Sequence, residues 1–335
     1  MFTSRGGRTL LDRITRLRAG LTETPLLSLA DDRLDLVTKL EFCNPTGSAK
    51  DRSALWILEQ AIRRGDIAAG TTVVESSSGN FAVAMASYCR ALGIPFVPVI
   101  DPNCNRATEN HLRALCDRVE KVTGPDGSGG YLSTRLARVR ELLAGLDHAY
   151  WPNQYANADA MDAHYRFTGG ELSRALSRLD YLFVGVGTAG TLAGLSRRVT
   201  EAFPRCTVVA VDSVGSAIFG QPPARRLIPG IGSSIVPPLT GLARVDDVVI
   251  VPEARTVRAC HELFTRHGLF AGGSTGTVYA AIQTYFTGHT RRRPVVAFLS
   301  ADRGQAYADT IYNPDWARRL TGTPALMEEE LAWSN

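Results

Sequence analysis

The sequence predicts an α/β protein of two lobes, each a parallel-rich twisted sheet covered by helices. Three observations carry this. Short apolar runs with strand character alternate with amphipathic helical patterns, as in parallel sheets covered on both faces. At 335 residues the chain exceeds what one core usually holds. Four loops rich in Gly, Ser or Thr, at 44–50, 76–80, 187–191 and 272–276, have the character of the loops that open helices beyond strand ends.

In chain order, "NPTGSAK" (44–50) leads into a helical pattern beginning at Ser53. The strand "TTVVES" (71–76) precedes the helix "NFAVAMASYCRALG" and the strand "PFVPVID" (95–101). "ATENHLRALC" reads as a helix, "VEKVTG" as a strand and "GGYLSTRLARVRELLAGL" as a long amphipathic helix. Further strands follow: "YLFVGVG" (181–187), "TVVAVDS" (207–213), "VDDVVIV" (245–251) and "PVVAFLS" (294–300). "GLDHAYWPNQYANADA", rich in Asn, Ala and Pro, marks a crossing between lobes. The expected division is a smaller, mobile unit over 43–152 and a larger one over 1–42 plus 153–335.

Composition is that of a globular protein, 44% hydrophobic and 21% charged. The net charge of +4 is weak and dispersed. The one basic run, Arg291-Arg292-Arg293, lacks interleaved aromatics and reads as a solvated loop rather than a nucleic-acid patch. Six cysteines without CxxC spacing read as reduced core thiols. No stretch approaches the ~18 apolar residues of a membrane span, and the N-terminus shows no signal-like apolar region, so a cytoplasmic protein is expected. His261 and His267, six apart, do not share a helix face as a zinc-binding pair would, so no metal is expected.

The glycine loops admit three readings. "GVGTAG" (185–190) matches a dinucleotide fingerprint, with Asp212 at the end of the next strand where a ribose-binding acid belongs. Yet free N–H groups at a helix N-terminus bind any phosphate. "GGSTG" (272–276) fits a nucleophile elbow, but the only histidine beyond Ser274 is His289 and no acid lies between them. A pyridoxal phosphate site uses all four loops. Lys50 supplies the amine, Gly187 through Thr191 the phosphate cradle, and Ser76 through Asn80 donors for a substrate carboxylate and the ring oxygen; Ser274 or a neighbour reaches the ring nitrogen. The chain has 34 arginines and only three lysines: Lys39, Lys50 and Lys121. A cation at a helix start opposes the macrodipole, so Lys50 suits a lysine held neutral. Serines and Asn80 in "SSSGN" also fit simple helix capping.

"NPTGSAKDRSA", "ESSSGN" and "GTAGT" together resemble the cysteine synthase / cystathionine β-synthase family, pyridoxal phosphate enzymes of fold type II. The resemblance implies that Lys50 binds the cofactor covalently, that Asn80 contacts its 3′ hydroxyl, and that Gly187, Thr188, Ala189, Gly190 and Thr191 hold its phosphate. "GGYLSTRLARVRELL", "AYWPNQYAN", "IPGIGSS", "FAGGSTGT" and "DRGQAY" are similar to the siderophore branch of that family, which joins O-phospho-L-serine to L-glutamate on the way to 2,3-diaminopropionate. That likeness implies that Ser274 contacts the cofactor and Tyr155 lies in the substrate pocket, with Arg135 a candidate for substrate anion binding. It also implies a homodimer acting on small amino acids. Two departures leave choices open. Gly187 stands where that branch has serine, so O-acetylserine stands beside O-phosphoserine as donor, and sulfide or another thiol beside glutamate as nucleophile. "SADRG" (300–304) replaces the family's "PSSG", placing Asp302 and Arg303 near the ring nitrogen beside Ser274. A cofactor-binding protein without activity is the remaining alternative, and Lys50 with Asn80 argues against it.

Overall fold

The computed structural model describes residues 9–127, 129–288 and 293–322. Among them lie ten strands: β1 (Leu26–Leu29), β2 (Asp35–Leu40), β3 (Thr72–Ser76), β4 (Phe96–Ile100), β5 (Glu120–Lys121), β6 (Ala149–Tyr150), β7 (Tyr181–Gly185), β8 (Thr207–Ser213), β9 (Asp247–Val251) and β10 (Val295–Ser300). The helices are α1 (Leu10–Ala19), α2 (Lys50–Arg64), α3 (Asn80–Leu92), α4 (Arg106–Leu115), α5 (Leu132–Ala144), α6 (Ala158–Ala163), α7 (Gly169–Ala175), α8 (Gly190–Ala202), α9 (Glu253–His267), α10 (Gly273–Tyr285) and α11 (Pro314–Thr321).

Two sheets form, as the alternation requires. The larger has the order β1-β2-β10-β7-β8-β9, and the smaller β5-β4-β3-β6. The smaller is parallel throughout, with Val73 opposite Phe96 and Thr72 opposite Ala149. The larger is parallel from β2 to β9, and β1 alone runs antiparallel, Leu29 opposite Leu36. The β1–β2 hairpin was not anticipated. Its signal is the pair of apolar runs about Asp31-Asp32, where Asp31 Oδ1 accepts from the Arg33 and Leu34 amides and closes the turn. The segment 145–160 contributes β6 to the edge of the smaller sheet before the chain enters α6.

Continuous burial along Phe183, Val184, Val208 and Val209 explains why the central strands read as unbroken apolar runs. α2 buries Leu55, Ile57, Leu58 and Ala61, each large side chain contributing about 1.5–3 kcal/mol. It ends at Gly65, whose φ of 84° supplies the left-handed cap, with Arg63 and Arg64 in the last turn. One apolar cluster joins Ile14, Leu55, Phe81 and Met85 to Leu192 and Val208; a second packs Phe183, Val209, Tyr279 and Phe298. Strand ends and helix starts from both sheets meet at the cleft between them.

Candidate active site

Lys50 begins α2 directly after a tightly held loop. Gly47 adopts φ 89°, a conformation L side chains resist. Asp51 gathers the loop: its carboxylate accepts from the Thr46 amide (3.0 Å), the Thr46 hydroxyl (2.6 Å), the Ser48 amide (3.3 Å) and the Tyr88 hydroxyl (2.6 Å). Asn44 Nδ2 donates to the Glu41 and Ser48 carbonyls. Behind the loop lies a buried ion network. Arg52 pairs with Glu41 at 3.3 Å and Glu171 at 2.9 Å, and Lys39 with Glu171 at 2.7 Å. Lys39 is thus a structural cation, and exposed Lys121 pairs with Glu109. The Lys50 amine opens on the cleft but is crowded by protein. Burial lowers its pKa, partly opposed by the charge of Asp302.

The cavity beside Lys50 encloses roughly 680 Å³ counted to its open mouth. Gly187, Thr188, Ala189 and Thr191 line one wall, Asn80 another, and Ser274 with Asp302 a third. Gly190 opens α8, whose first amides have no side-chain cap. Ala189 sits at φ 66°, a strained conformation that aims this turn at the cavity. A Cβ on Gly187 would lie 3.1 Å from the Gly230 carbonyl oxygen, so a side chain here would press on the Gly230 backbone across the cradle. Free helix N–H groups beside two threonine hydroxyls fit a phosphate ester, and a partly desolvated amine beside the same cavity fits an aldehyde.

The predicted substrate loop is dispersed more than expected. Asn80 faces the cavity and donates to Asp302 Oδ2 at 2.7 Å. Ser77 Oγ accepts from the Ala82 amide, the capping role. Ser78 Oγ donates to Asp101 and accepts from Arg135 at 3.3 Å. Ser76 is buried, and its hydroxyl has no partner among the described residues. Gly79 precedes α3 in extended backbone. Arg135 pairs with Asp101 at 3.0 Å, so much of its charge is already met. Tyr155 lies beside Arg135; burial raises its phenol pKa, and the arginine opposes the rise.

Of the ring-nitrogen candidates, Ser274 and Asp302 line the cavity, whereas Arg303 turns away and stacks on Phe42 at 4.9 Å. Asp302 is buried and accepts from Tyr307 at 2.9 Å as well as from Asn80. Burial raises its pKa against those bonds and against the Lys50 charge. Asp212, the acid required by the dinucleotide reading, is fully buried near the end of β8 and does not line this cavity. His289 lies outside the described residues. His261 and His267 bond the Ile311 carbonyl and Tyr279, as structural histidines do.

Sequence reasoning missed Gly230, which lines the cavity, and two anchoring groups. Glu75, fully buried and pushed up to about 7 by burial, accepts from the Ser76 amide, the Gln154 amide and Trp151 Nε1. Gln154 Nε2 in turn donates to the Ser76 carbonyl. These contacts fasten the "WPNQY" segment to the substrate loop; nothing in the local sequence announces a pairing across some 79 positions.

The fold and the lysine-centred cavity define a pyridoxal-phosphate-dependent enzyme. The family model described as "Pyridoxal-phosphate dependent enzyme" matches residues 17–301, and the chain belongs to that family. It is 43% identical over 307 residues, 90% of each chain, to N-(2-amino-2-carboxyethyl)-L-glutamate synthase of Ralstonia nicotianae. Among solved structures it is similar to a hydrogen sulfide-producing enzyme from Fusobacterium nucleatum: 26% identity, TM-score 0.79, 90% of this chain and 99% of that one. It shares its fold with an O-acetylserine-dependent cystathionine β-synthase from Helicobacter pylori: 24% identity, TM-score 0.80, 92% and 99% covered. The cofactor is pyridoxal phosphate and the reaction class is β-substitution.

Proposed function

We propose that this enzyme joins an activated L-serine, O-phospho-L-serine, to L-glutamate, giving N-(2-amino-2-carboxyethyl)-L-glutamate, a precursor of L-2,3-diaminopropionate. The observation that carries the reading is the 43% identity to the synthase of that name across nine-tenths of both chains. Arg135 and Tyr155, side by side near the substrate loop, support an acceptor that carries carboxylates.

Pyridoxal phosphate, when bound, withdraws electrons from the Cα of the donor serine, so that its proton becomes acidic and its β-substituent can leave. Lys50 would bind the cofactor's aldehyde carbon, Asn80 would hold the ring's 3′ oxygen, and Gly187 through Thr191 would hold the phosphate. Lys50 Nζ, when not bonded to the cofactor, is the amine placed to take the donor's α-proton. A depressed amine pKa keeps more of this lysine neutral near pH 7, as a base requires. Ser76 through Gly79, the loop that leads into Asn80 at the cavity wall, would orient the donor carboxylate. Lys50 Nζ would then hold the α-proton for return to Cα once the acceptor amine has replaced the β-substituent. The same lysine serves three times because it stays within reach throughout. Closure of the smaller unit, 43–152, excludes water from the reactive stage. The protein acts as a homodimer.

A second reading, β-substitution with sulfide or another thiol on O-acetylserine or O-phosphoserine, is favoured by Gly187 and by the likeness to the hydrogen sulfide-producing enzyme. A matrix of O-phosphoserine or O-acetylserine against glutamate or sulfide, read by product mass, separates them. Product only with O-phosphoserine and glutamate supports the first; a thiol product alone overturns it.

A further inference from the structure

His164 has a place in the site that the reaction as described leaves unused. It lies in a π-helical turn, His164–Thr168, between α6 and α7, and such turns cluster at functional positions. It is almost fully buried, and both ring nitrogens meet hydroxyls: Nδ1 is 3.0 Å from Thr168 Oγ1 and Nε2 is 3.2 Å from Thr191 Oγ1. The contact with Thr191 exists because α8 approaches without side chains in the way. A Cβ on Gly190 would lie 3.2 Å from that of Ala160, and one on Gly194 would lie 2.4 Å from the Met161 carbonyl oxygen and 2.8 Å from His164 Cβ. The two glycines stand one turn apart on one face of α8.

We propose that His164 is a positioning residue for the phosphate cradle: held by Thr168, its imidazole fixes the Thr191 hydroxyl so that the hydroxyl proton points to a bound phosphate. This rests on the reading that residues 187–191 hold the cofactor phosphate. The proton count allows two arrangements. If Thr191 donated to Nε2, its proton would be unavailable to the ligand. If Nε2–H donates to Thr191 Oγ1, that proton is free, and Nδ1 accepts from Thr168. A phosphate acceptor selects the second arrangement. A protonated ring would donate to both hydroxyls, Nε2–H to Thr191 and Nδ1–H to Thr168, and would also leave the Thr191 proton free. Burial, with the nearby charges of Lys50 and Arg52, keeps the ring neutral, lowering its pKa to about 3.

The test measures affinity of the full-length protein, stripped and reloaded, for pyridoxal 5′-phosphate and for pyridoxal, which lacks the phosphate. The variants are Thr191→Val, His164→Leu, His164→Gln, Thr168→Val and Thr168→Ser. Thr191→Val and His164→Leu are expected to weaken pyridoxal phosphate about tenfold, the worth of one hydrogen bond to a charged group, and to change pyridoxal less than twofold. His164→Gln, with an amide N–H in reach of Thr191, restores most of the loss. Thr168→Val gives a smaller loss that Thr168→Ser repairs. In protein labelled with ¹⁵N-histidine, His164 is expected as the Nε2–H tautomer with phosphate bound. If Thr191→Val alone weakens phosphate binding, while the His164 and Thr168 variants match wild type, the positioning role is overturned and the cradle stands. If Thr191→Val also has no effect, both fall. Should His164→Leu not fold, the Gln and Thr168 variants decide.

Discussion

Three lysines with three fates set the chemistry at the scale of single residues. Lys39 neutralises Glu171 in the interior, Lys121 pairs with Glu109 at the surface, and Lys50 meets no carboxylate within pairing distance among the described residues. Replacing Lys50 by Ala should therefore lower turnover at least a thousandfold, the scale expected when a positioned base is lost. Borohydride reduction followed by peptide mapping should place the cofactor label at position 50 in the wild type and nowhere in the variant. A label at 39 or 121 would refute the assignment. Glu75 offers a pH test. Its folded pKa, raised from 4.5 to about 7, means that the native state binds more protons than the unfolded chain between those values. Stability must therefore fall as pH rises from about 4.5 to 7. Glu75→Gln removes this dependence, so its urea-unfolding free energy should gain on wild type by about 3 kcal/mol between pH 4 and pH 8. A constant gap across that range would remove Glu75 as the source.

Between elements, the site is held by features far from Lys50 in sequence. The network of Lys39, Glu41, Arg52 and Glu171 ties β2 and the loop after it to α2 and α7. Removing one member leaves an uncompensated buried charge. Glu171→Ala should cost about 3–5 kcal/mol in urea unfolding; a loss under ~1 kcal/mol would show the network to be loosely held. At the contact between α8 and the 158–168 segment, Gly194→Ala must push backbone from backbone, since its new Cβ would stand 2.4 Å from the Met161 oxygen. A destabilisation of about 1–3 kcal/mol is expected, with faster loss of cofactor on dilution because Thr191 rides on the same helix. Unchanged cofactor retention would detach this contact from the cradle.

For the molecule as a whole, the expected motion is of one sheet against the other. Asn80 begins α3, beside the smaller sheet, and its amide bonds Asp302 after the last strand of the larger sheet, so such a motion would have to break or remake this contact. Adding a donor serine should slow amide hydrogen exchange in 72–150 more than in 181–300; equal slowing in both would argue against relative movement. Much of this architecture was legible beforehand. The apolar strands and the glycine loops stand out because buried parallel strands and anion-binding helix starts demand local residue types. The roles of His164 and Glu75 were not legible, because their partners Thr191 and Gln154 lie 27 and 79 positions away; the hairpin of β1 and β2 is local, closed by the turn at Asp31, and its short strands went unread beside the longer apolar runs. Arg135 was readable as a cation, but its pairing with Asp101 was not. Nor was the turning of Arg303 onto Phe42, which separates it from Asp302 in the next position.

The sequence by itself determined the class of fold, the lysine and the loop that opens α8. Each of these depends on local preferences: period of apolar residues, glycine at positive φ, free amides at a helix start. Tertiary structure alone decided which hydroxyls are left free and which are spent on capping. It also set how far Lys50 is desolvated and which buried group stands behind Thr191. Those properties come from the low dielectric and the close packing of segments distant in the chain, and no short stretch of sequence encodes either.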